Sequence, residues 1–392
     1  MLTTLPSGAP TTMMMKFTVQ RDEILQGVNS VQRATALRVV QPILSNILVE
    51  VDSESSPLRL SATDLDFSLQ TTMNAEISSP GRTTISAKKL SEILSKLPPK
   101  SIVTFDINQD VQSCRLTCGS SVFELRTLPA EEFPVIPTID PAQSVELDLD
   151  ALIRGIRQSE FAASKQDTNN ILGGIYFKLT NGVLDMVATD GSRLARHTET
   201  VEAAGTEAGI ASIIPAKTLQ EFQKLVSTFG HEKDEKAAVS LQDGRVFLST
   251  QRFNAVSRLL DGQYPRYEQL IPKDCAISAV MNRSALTAAL ERTAVMANER
   301  TQIVKMTFNR GQLNLAADTP DVGHSQDSIP VEFSHSDEMQ IAFNFRFVLD
   351  ALKVMTGDDV LLETNGALAP TLFKDKATPD KYLCLVMPVQ VK

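Results

Sequence analysis

The sequence predicts an α+β protein of three tandem, similar domains, and three observations carry that reading. Its 392 residues exceed what one hydrophobic core organises, since a domain takes roughly 150 residues. The chain also repeats itself. LSATDLD at 60–66, MVATDGS at 186–192 and LAADTPD at 315–321 align Asp64, Asp190 and Asp318 at spacings of 126 and 128, while segments beginning at Ile85, Ile214 and Phe343 recur at 129 and again at 129. Self-similarity at a fixed period outranks any local motif as a sign of architecture. Finally, helical and alternating hydrophobic patterns succeed each other twice in every copy, as expected for helices packed on one face of antiparallel sheet.

Each copy opens with a helix. RDEILQGVNSVQRAT, DLDALIRGIRQSEFAAS and NRSALTAALERTAVMANE space apolar residues near the helical period and place Asp or Asn where a helix start needs an acceptor. Strands follow: IYFKLTNGVLDMVATD turns at Asn181-Gly182 and VKMTFNRGQLNLAAD at Asn309-Arg310-Gly311. The second helices are ISAKKLSEILSKL, IPAKTLQEFQKLV and FNFRFVLDALKVM, and behind them AAVSLQDGRVFLSTQ turns at Asp243-Gly244 and VLLETNGALAPTLF at Asn365-Gly366. Each third therefore reads helix, strands, helix, strands, with two helices and about eight strands. The proline-rich stretches PVIPTIDPAQ (134–143) and YPRYEQLIPKD (264–274) are short for mobile linkers. They set domains at 15–138, 139–272 and 273–392, behind a disordered extension at 1–14 that lacks the charge and apolar stretch of a signal peptide. Six half-repeats suggest rotational symmetry.

The net charge of −9 argues against a nucleic-acid partner until its distribution is considered. The six helix candidates together carry +6, which leaves −15 for the rest. No apolar run approaches the ~20 residues of a membrane span. Four cysteines without a framework point to a reducing cytosol, and Cys114 and Cys118, unaccompanied by histidine, read as buried thiols rather than metal ligands. VATDGSRLARH (187–197) gathers Asp190, Ser192 and His197, so a hydrolase is the alternative to a binding protein. Ser192 and His197 are five apart, however, which puts them on opposite faces of an extended chain, and no glycine elbow surrounds the serine. No catalytic residue, metal ligand set or cofactor motif is expected.

MKFTVQRDEIL, QPILSNILVEV, TLPAEEFP, VATDGSRLA, LLDGQYPRYEQLIP and VMPVQVK, taken in order across 15–392, resemble the bacterial β sliding clamps, the β subunits of DNA polymerase III. The resemblance implies a DNA clamp fold closed into a ring by a head-to-tail homodimer that encircles duplex DNA without sequence specificity. It implies a non-catalytic processivity factor, without cofactor, in the cytoplasm at the nucleoid. Implied partners are double-stranded DNA, the polymerase III catalytic subunit, the clamp loader, and clamp-binding-motif proteins such as translesion polymerases, mismatch repair proteins and ligase. The DNA-facing residues would be Arg33, Arg38, Lys88, Lys89, Lys96, Arg154, Arg157, Lys165, Gln166, Lys217, Lys224, Arg283, Arg292, Arg346 and Lys353, with Asp167 completing the Lys165 loop. Inward Lys and Arg would meet phosphates while the acidic remainder discourages DNA outside the ring.

The same resemblance implies a peptide pocket of Leu172, Thr189, Gly191, Ser192, Arg193, Leu194, Pro265, Leu270, Ala369, Pro370, Leu385, Met387 and Val389 between the second and third domains. Apolar residues there would anchor a partner's side chains, with Arg193 fixing peptide direction. Ser192 stands where the best-known member has histidine and Gln269 where that member has arginine, and the terminal VMPVQVK leaves Lys392 as an extra residue at the rim. Phe123, Val295 and Met296 match the apolar part of the dimer contact, while Ser120 and Val122 replace its familiar arginines.

Overall fold

The predicted periodicities become elements in a computed structural model that describes residues 14–36, 41–166, 170–202, 209–320 and 322–390. The first repeat runs β1 (Met14–Gln20), α1 (Arg21–Val31), β2 (Asn46–Val51), β3 (Leu58–Thr63), β4 (Phe67–Met73), β5 (Glu76–Ser79), β6 (Gly81–Ser86), α2 (Ala87–Lys96), β7 (Ile102–Asn108), β8 (Ser113–Cys118) and β9 (Ser121–Leu128). The second runs β10 (Val145–Asp148), α3 (Leu149–Ser159), β11 (Gly174–Thr180), β12 (Val183–Thr189), β13 (Arg193–Thr200), β14 (Ile210–Pro215), α4 (Ala216–Phe229), β15 (Lys236–Gln242), β16 (Arg245–Ser249) and β17 (Phe253–Arg258). The third runs β18 (Ile277–Asn282), α5 (Arg283–Ala294), β19 (Ile303–Asn309), β20 (Gly311–Thr319), β21 (Gly323–Phe333), β22 (Met339–Asn344), α6 (Phe345–Lys353), β23 (Asp359–Thr364), β24 (Thr371–Asp375) and β25 (Tyr382–Val386).

Three differences from the sequence reading stand out. Every repeat opens on a strand rather than a helix: β1, β10 and β18 run directly into the helix behind them, so no turn residue separates the two periods. Met14, assigned to the extension, is the first residue of β1: it pairs with Asn108, and Ser79 Oγ donates to its carbonyl at 2.6 Å. The rest of the extension lies outside the described residues. The expected turn at Asn365-Gly366 is instead a loop over 365–370 in which Asn365 accepts from Ala276 N at 2.8 Å and donates to Asp274 O at 2.9 Å. The tight hairpins at Asn181-Gly182 (φ 52° and 72°) and Asp243-Gly244 (φ 48° and 69°) do form, because these residue types tolerate the left-handed backbone that a two-residue hairpin needs. Asp148, Asn282 and Asn344 cap their helices by accepting from Ala151, Ala285 and Arg346 N–H.

The described chain divides into two compact units that cut through the second repeat. One takes residues up to Ser144 with Lys224–Glu232 and Ala237–Arg258, and the other takes Val145–Gln223, Lys233–Lys236 and the chain from Leu259 onward. In the first unit the strand order is β15-β16-β17-β4-β3-β2-β6-β9-β8-β7-β1-β5. Its two repeats join where β17 pairs antiparallel with β4, from Phe253↔Thr71 to Ser257↔Phe67. In the second unit the order is β14-β11-β12-β13-β25-β24-β23-β18-β21-β20-β19-β22. Its join is β13 with β25, from Arg193↔Val386 to His197↔Tyr382.

Helices cover these sheets with their apolar stripes. α1 turns Ile24, Val28 and Val31 inward against β4 and α2. In the first unit Phe17 and Phe105, opposite each other on β1 and β7, stack at 4.6 Å. In the second, α5 and α6 contribute Leu286, Leu290, Val348 and Leu352 to a core that also holds Phe308, Phe343 and Phe373. Burying each such side chain stabilises by about 1.5–3 kcal/mol. Cys114 and Cys118 are buried in the first unit, where burial pushes the Cys114 thiol up to about 12 and keeps it protonated. No helix among the described residues is long and apolar enough to cross a membrane.

One buried carboxylate stitches the end of α6 to β24. Asp375 accepts from Gly357 N at 2.7 Å, Ala377 N at 3.0 Å and Thr356 N at 3.1 Å. Burial opposes its ionisation, but these N–H donors outweigh burial and hold the carboxyl below the usual carboxylate range. A group with a depressed folded pKa contributes stability above its unfolded pKa and loses it as pH falls through the folded value. Asp375→Asn is therefore expected to lower unfolding stability by roughly 1–3 kcal/mol at pH 7. The gap should narrow below pH ~4, as read from urea midpoints across a pH series.

Candidate functional site

The conspicuous Thr-Asp-Gly-Ser-Arg motif is a turn joining β12 to β13. Thr189 Oγ1 donates to Arg193 O at 2.6 Å and accepts from Gly191 N at 3.1 Å. Asp190 Oδ1 accepts from Ser192 N at 2.9 Å and Arg193 N at 3.1 Å, an Asx turn. Gly191 sits at φ 90°, which explains glycine at that point. The turn leaves Ser192 exposed with its carbonyl accepting from Met387 N at 3.0 Å, so the chain after β25 continues along β13.

Arg193 has a different role from the one expected. Its side chain is 6% exposed, and the guanidinium donates to Asp190 Oδ2 at 3.0 Å, Asp350 Oδ2 at 2.7 Å and Phe161 O at 2.7 Å, over the Phe347 ring at 4.4 Å. It clamps the turn to α6 instead of facing a peptide. The hydrolase alternative fails on geometry as well. Asp190 is committed to the turn and Arg193, whereas His197 lies buried with Nδ1 2.6 Å from Gln158 Oε1. Burial lowers His197 to about 4, so its imidazole is neutral at pH 7.

A second network, which the sequence did not reveal, positions the linker after β17. Asp185 accepts from Tyr267 OH at 2.8 Å, Arg196 Nε at 2.7 Å and Thr198 Oγ1 at 2.9 Å. Burial, then the carboxylate of Asp185, raises the Tyr267 phenol, so it stays a donor. This fixes Tyr264 and Tyr267 in an apolar cluster with Val187, Leu194, Ile213, Leu372 and Leu385. Tyr176 stacks on Tyr264 at 5.5 Å.

The thirteen expected pocket residues all belong to the second unit. Thr189, Leu194 and Leu385 are buried, with Leu194 opposite Leu385 and Leu385 opposite Leu372 across three strands. Leu172, Pro265, Ala369, Pro370 and Val389 are half-buried, while Gly191, Ser192, Leu270 and Met387 are exposed. Thr371 pairs with Val386, which brings the loop 365–370 beside Met387. That loop adds Leu368, missing from the expected set and 62% exposed; Leu270 at 54% and Met387 at 41% are exposed in the same unit. Its signal was an apolar residue in a segment read as a tight turn. A separate cavity of about 400 Å³ opens between β11, β14 and the linker, and of the expected pocket it shares Pro265 alone.

Of the expected DNA-facing residues, Arg33, Lys88, Lys89, Lys96, Arg154, Arg157, Lys165, Gln166, Lys217, Lys224, Arg292, Arg346 and Lys353 are exposed. Arg38, Asp167 and Lys392 lie outside the described residues. Arg283 is half-buried and donates to Gly357 O at 2.7 Å, a structural contact. Arg154 pairs with Glu199 at 3.1 Å, Arg292 with Asp327 at 2.7 Å and Lys89 with Glu92 at 3.0 Å. Of the expected dimer residues, Val295 is 76% exposed, and Phe123 and Met296 are half-buried. Phe123 lies on β9, which pairs with β8 along its length but meets β6 only at Thr127 and Leu128. In the second unit β21 pairs with β20 but meets β18 only at Glu332 and Phe333. Among the described residues, each strand thus carries an open edge.

Three family descriptions match the chain in order: DNA polymerase III beta subunit, N-terminal domain over 15–137, central domain over 146–266, and C-terminal domain over 268–390. A beta sliding clamp of Synechococcus elongatus is 33% identical over 381 residues, covering 96% of this chain and all of that protein. A sliding clamp (DNA polymerase III subunit beta) from Pseudomonas aeruginosa, solved bound to griselimycin, superposes with a TM-score of 0.89 at 28% identity, covering 96% of this chain and all of that one. The beta sliding clamp of C. crescentus, solved with PEG bound to its putative beta-motif tethering region, gives 0.89 at 29% identity over 96% and 99% of the chains.

The clamp and the exposed serine of the turn are separable by mutation. Arg193→Ala leaves Asp190 and Asp350 facing an emptied pocket and should cost about 3 kcal/mol of unfolding stability, whereas Ser192→Ala should stay within about 0.5 kcal/mol. Thermal unfolding of the two variants checks the ordering.

Proposed function

Since the chain belongs to the DNA polymerase III beta subunit family, whose members are non-catalytic processivity factors of three-domain clamp fold, we propose that two copies close into a ring around duplex DNA and that the surface beside Ser192 forms a cleft that tethers partner proteins. The observation that carries the tethering is the set of exposed apolar side chains, Leu270, Leu368 and Met387, in the unit whose buried floor holds Leu194 and Leu385. Apolar side chains gathered into one exposed patch mark an interaction surface, where singly scattered ones do not. An extended peptide would lay bulky apolar residues on that floor and use backbone groups near Ser192 for direction, now that Arg193 is committed elsewhere. The polymerase catalytic subunit, the clamp loader, translesion polymerases, mismatch repair proteins and ligase would compete for it, at the nucleoid.

The open edges support the ring. In sequence order β9, β17 and β25 each close a repeat, and β17 and β25 pair with β4 and β13 of the repeat before. The strand equivalent to β4 and β13 in the third repeat is β21, whose free edge awaits a β9. A β9 from a second copy satisfies it, with Phe123 meeting Val295 and Met296 and the edges shielded from unwanted pairing. Exposed Lys88, Lys217, Arg346 and their neighbours would then screen phosphates without reading bases, so the ring slides.

Two measurements test these readings. With a labelled peptide copied from a polymerase III catalytic-subunit tail, Met387→Ala should weaken binding by about 1–3 kcal/mol and Ser192→Ala by less, the dimer mass staying constant. Unchanged binding in Met387→Ala would place the tether elsewhere. Loaded by a clamp loader onto nicked circular DNA, the protein should remain until the DNA is linearised and then leave. Equal retention on linear DNA would contradict encirclement.

A further inference from the structure

The first unit contains a second copy of the turn that frames the Ser192 cleft. Thr63 Oγ1 donates to Phe67 O at 3.3 Å and accepts from Leu65 N at 3.0 Å, and Asp64 Oδ1 accepts from Asp66 N at 3.1 Å and Phe67 N at 2.7 Å. These are the contacts made by Thr189 and Asp190, one repeat earlier. The strand junction is repeated too: Arg258 N donates to Asp66 O at 3.0 Å, as Met387 N does to Ser192 O at 3.0 Å. Beside this turn lies a cleft of about 210 Å³, lined among others by Leu65, Asp66, Val135, Arg245 and Arg258.

Its chemistry differs from that of the first cleft. Leu65 holds φ 80° where the equivalent Gly191 holds 90°, a left-handed backbone that strains leucine but not glycine. Its side chain is nevertheless 50% exposed and Val135 94% exposed, so neither position is explained by core packing. Arg245 has no carboxylate partner among the described residues. The guanidinium of Arg258 pairs with Asp66 at 3.3 Å, both side chains largely in water, a pair worth little and easily opened. Two guanidiniums and one carboxylate therefore line the cleft beside two exposed apolar side chains.

We propose that this cleft is a second linear-peptide site, taking an extended segment in which a bulky apolar side chain adjoins a carboxylate. The apolar group packs on Leu65 and Val135, and the carboxylate is held by Arg245 with Arg258. The proposal rests on reading the Ser192 cleft as a peptide site, since it argues from the repeated frame.

Methyl NMR of the full chain tests it with acetyl-Leu-Glu-Leu-Asp-amide and its neutral counterpart acetyl-Leu-Gln-Leu-Asn-amide. Saturable movement of the Val135 methyls is expected with the acidic peptide, with affinity about tenfold weaker for the neutral one. Arg245→Ala and Leu65→Gly should abolish it while Met387→Ala keeps it. Glycine suits the backbone at position 65, so that variant is expected to fold at least as stably, and its melting temperature is the control. No saturable movement, retention in both cleft variants, or equal affinity for the two peptides overturns the proposal. So does movement caused by a duplex oligonucleotide or by association of further copies where the tetrapeptide causes none. Failure of Met387→Ala to weaken the polymerase-tail peptide would count against the Ser192 cleft alone.

Discussion

Edge-to-edge strand pairing between successive repeats is the constraint on which both units depend. A repeat by itself ends in a strand with a row of unpaired N–H and C=O groups, a costly surface and a template for misassembly. β17 satisfies the edge of β4, and β25 that of β13. These junctions do more than join sheets. Each places a turn of the earlier repeat against the chain that leaves the later one, so Ser192 meets Met387 and Asp66 meets Arg258. In the first unit a cleft of about 210 Å³ lies beside that junction.

Much of this was legible because it depends on local rules repeated three times. The six helices fall where helical spacing put them, and the caps at Asp148, Asn282 and Asn344 follow from side chains that compete for free N–H groups at a helix start. The site was legible only as a list. Arg193, Asp190 and Ser192 are adjacent in sequence, yet one is a buried clamp, one a turn former and one exposed. What separates them is Asp350, 157 positions away in the chain, and nothing local announces that pair. Asp185 and Tyr267 are 82 positions apart and equally silent. Leu368 was lost to a turn rule, because an Asn-Gly pair is a strong hairpin signal that the contacts of Asn365 with Asp274 and Ala276 override here.

The electrostatics show why a histidine, a serine and an aspartate in one motif need not form a catalytic unit. Charge relay requires a titratable imidazole near neutrality, facing the nucleophile. Here burial in the sheet holds His197 neutral, with Gln158 on one nitrogen and Glu199 3.4 Å from the other. Glu199 is itself shared by Arg154 at 3.1 Å and Lys381 at 2.9 Å, so the histidine closes a structural network rather than opening a reactive one. The same network takes up part of the basic charge on α3. Exposure therefore matters more than the count of Lys and Arg when deciding which of them are available to phosphates.

The copies of the Asp-centred motif show how one frame carries different side chains. In the first two repeats Asp64 and Asp190 each cap a turn, because a successor strand arrives on the far side and the chain must reverse to meet it. In the third, Asp318 lies in β20 and pairs with His324 of β21. At both junctions within the chain the same frame forms, and its contents are free to diverge. The position before the capped strand is Ser192 in one copy and Asp66 in the other, and the strand's first residue is a charged clamp, Arg193, in one and a buried phenyl, Phe67, in the other. Neither difference alters the backbone hydrogen bonds of the turn. Because junction geometry is set by main-chain pairing and cleft chemistry by side chains that the pairing does not need, a repeat protein of this kind can change what it holds without changing how it closes.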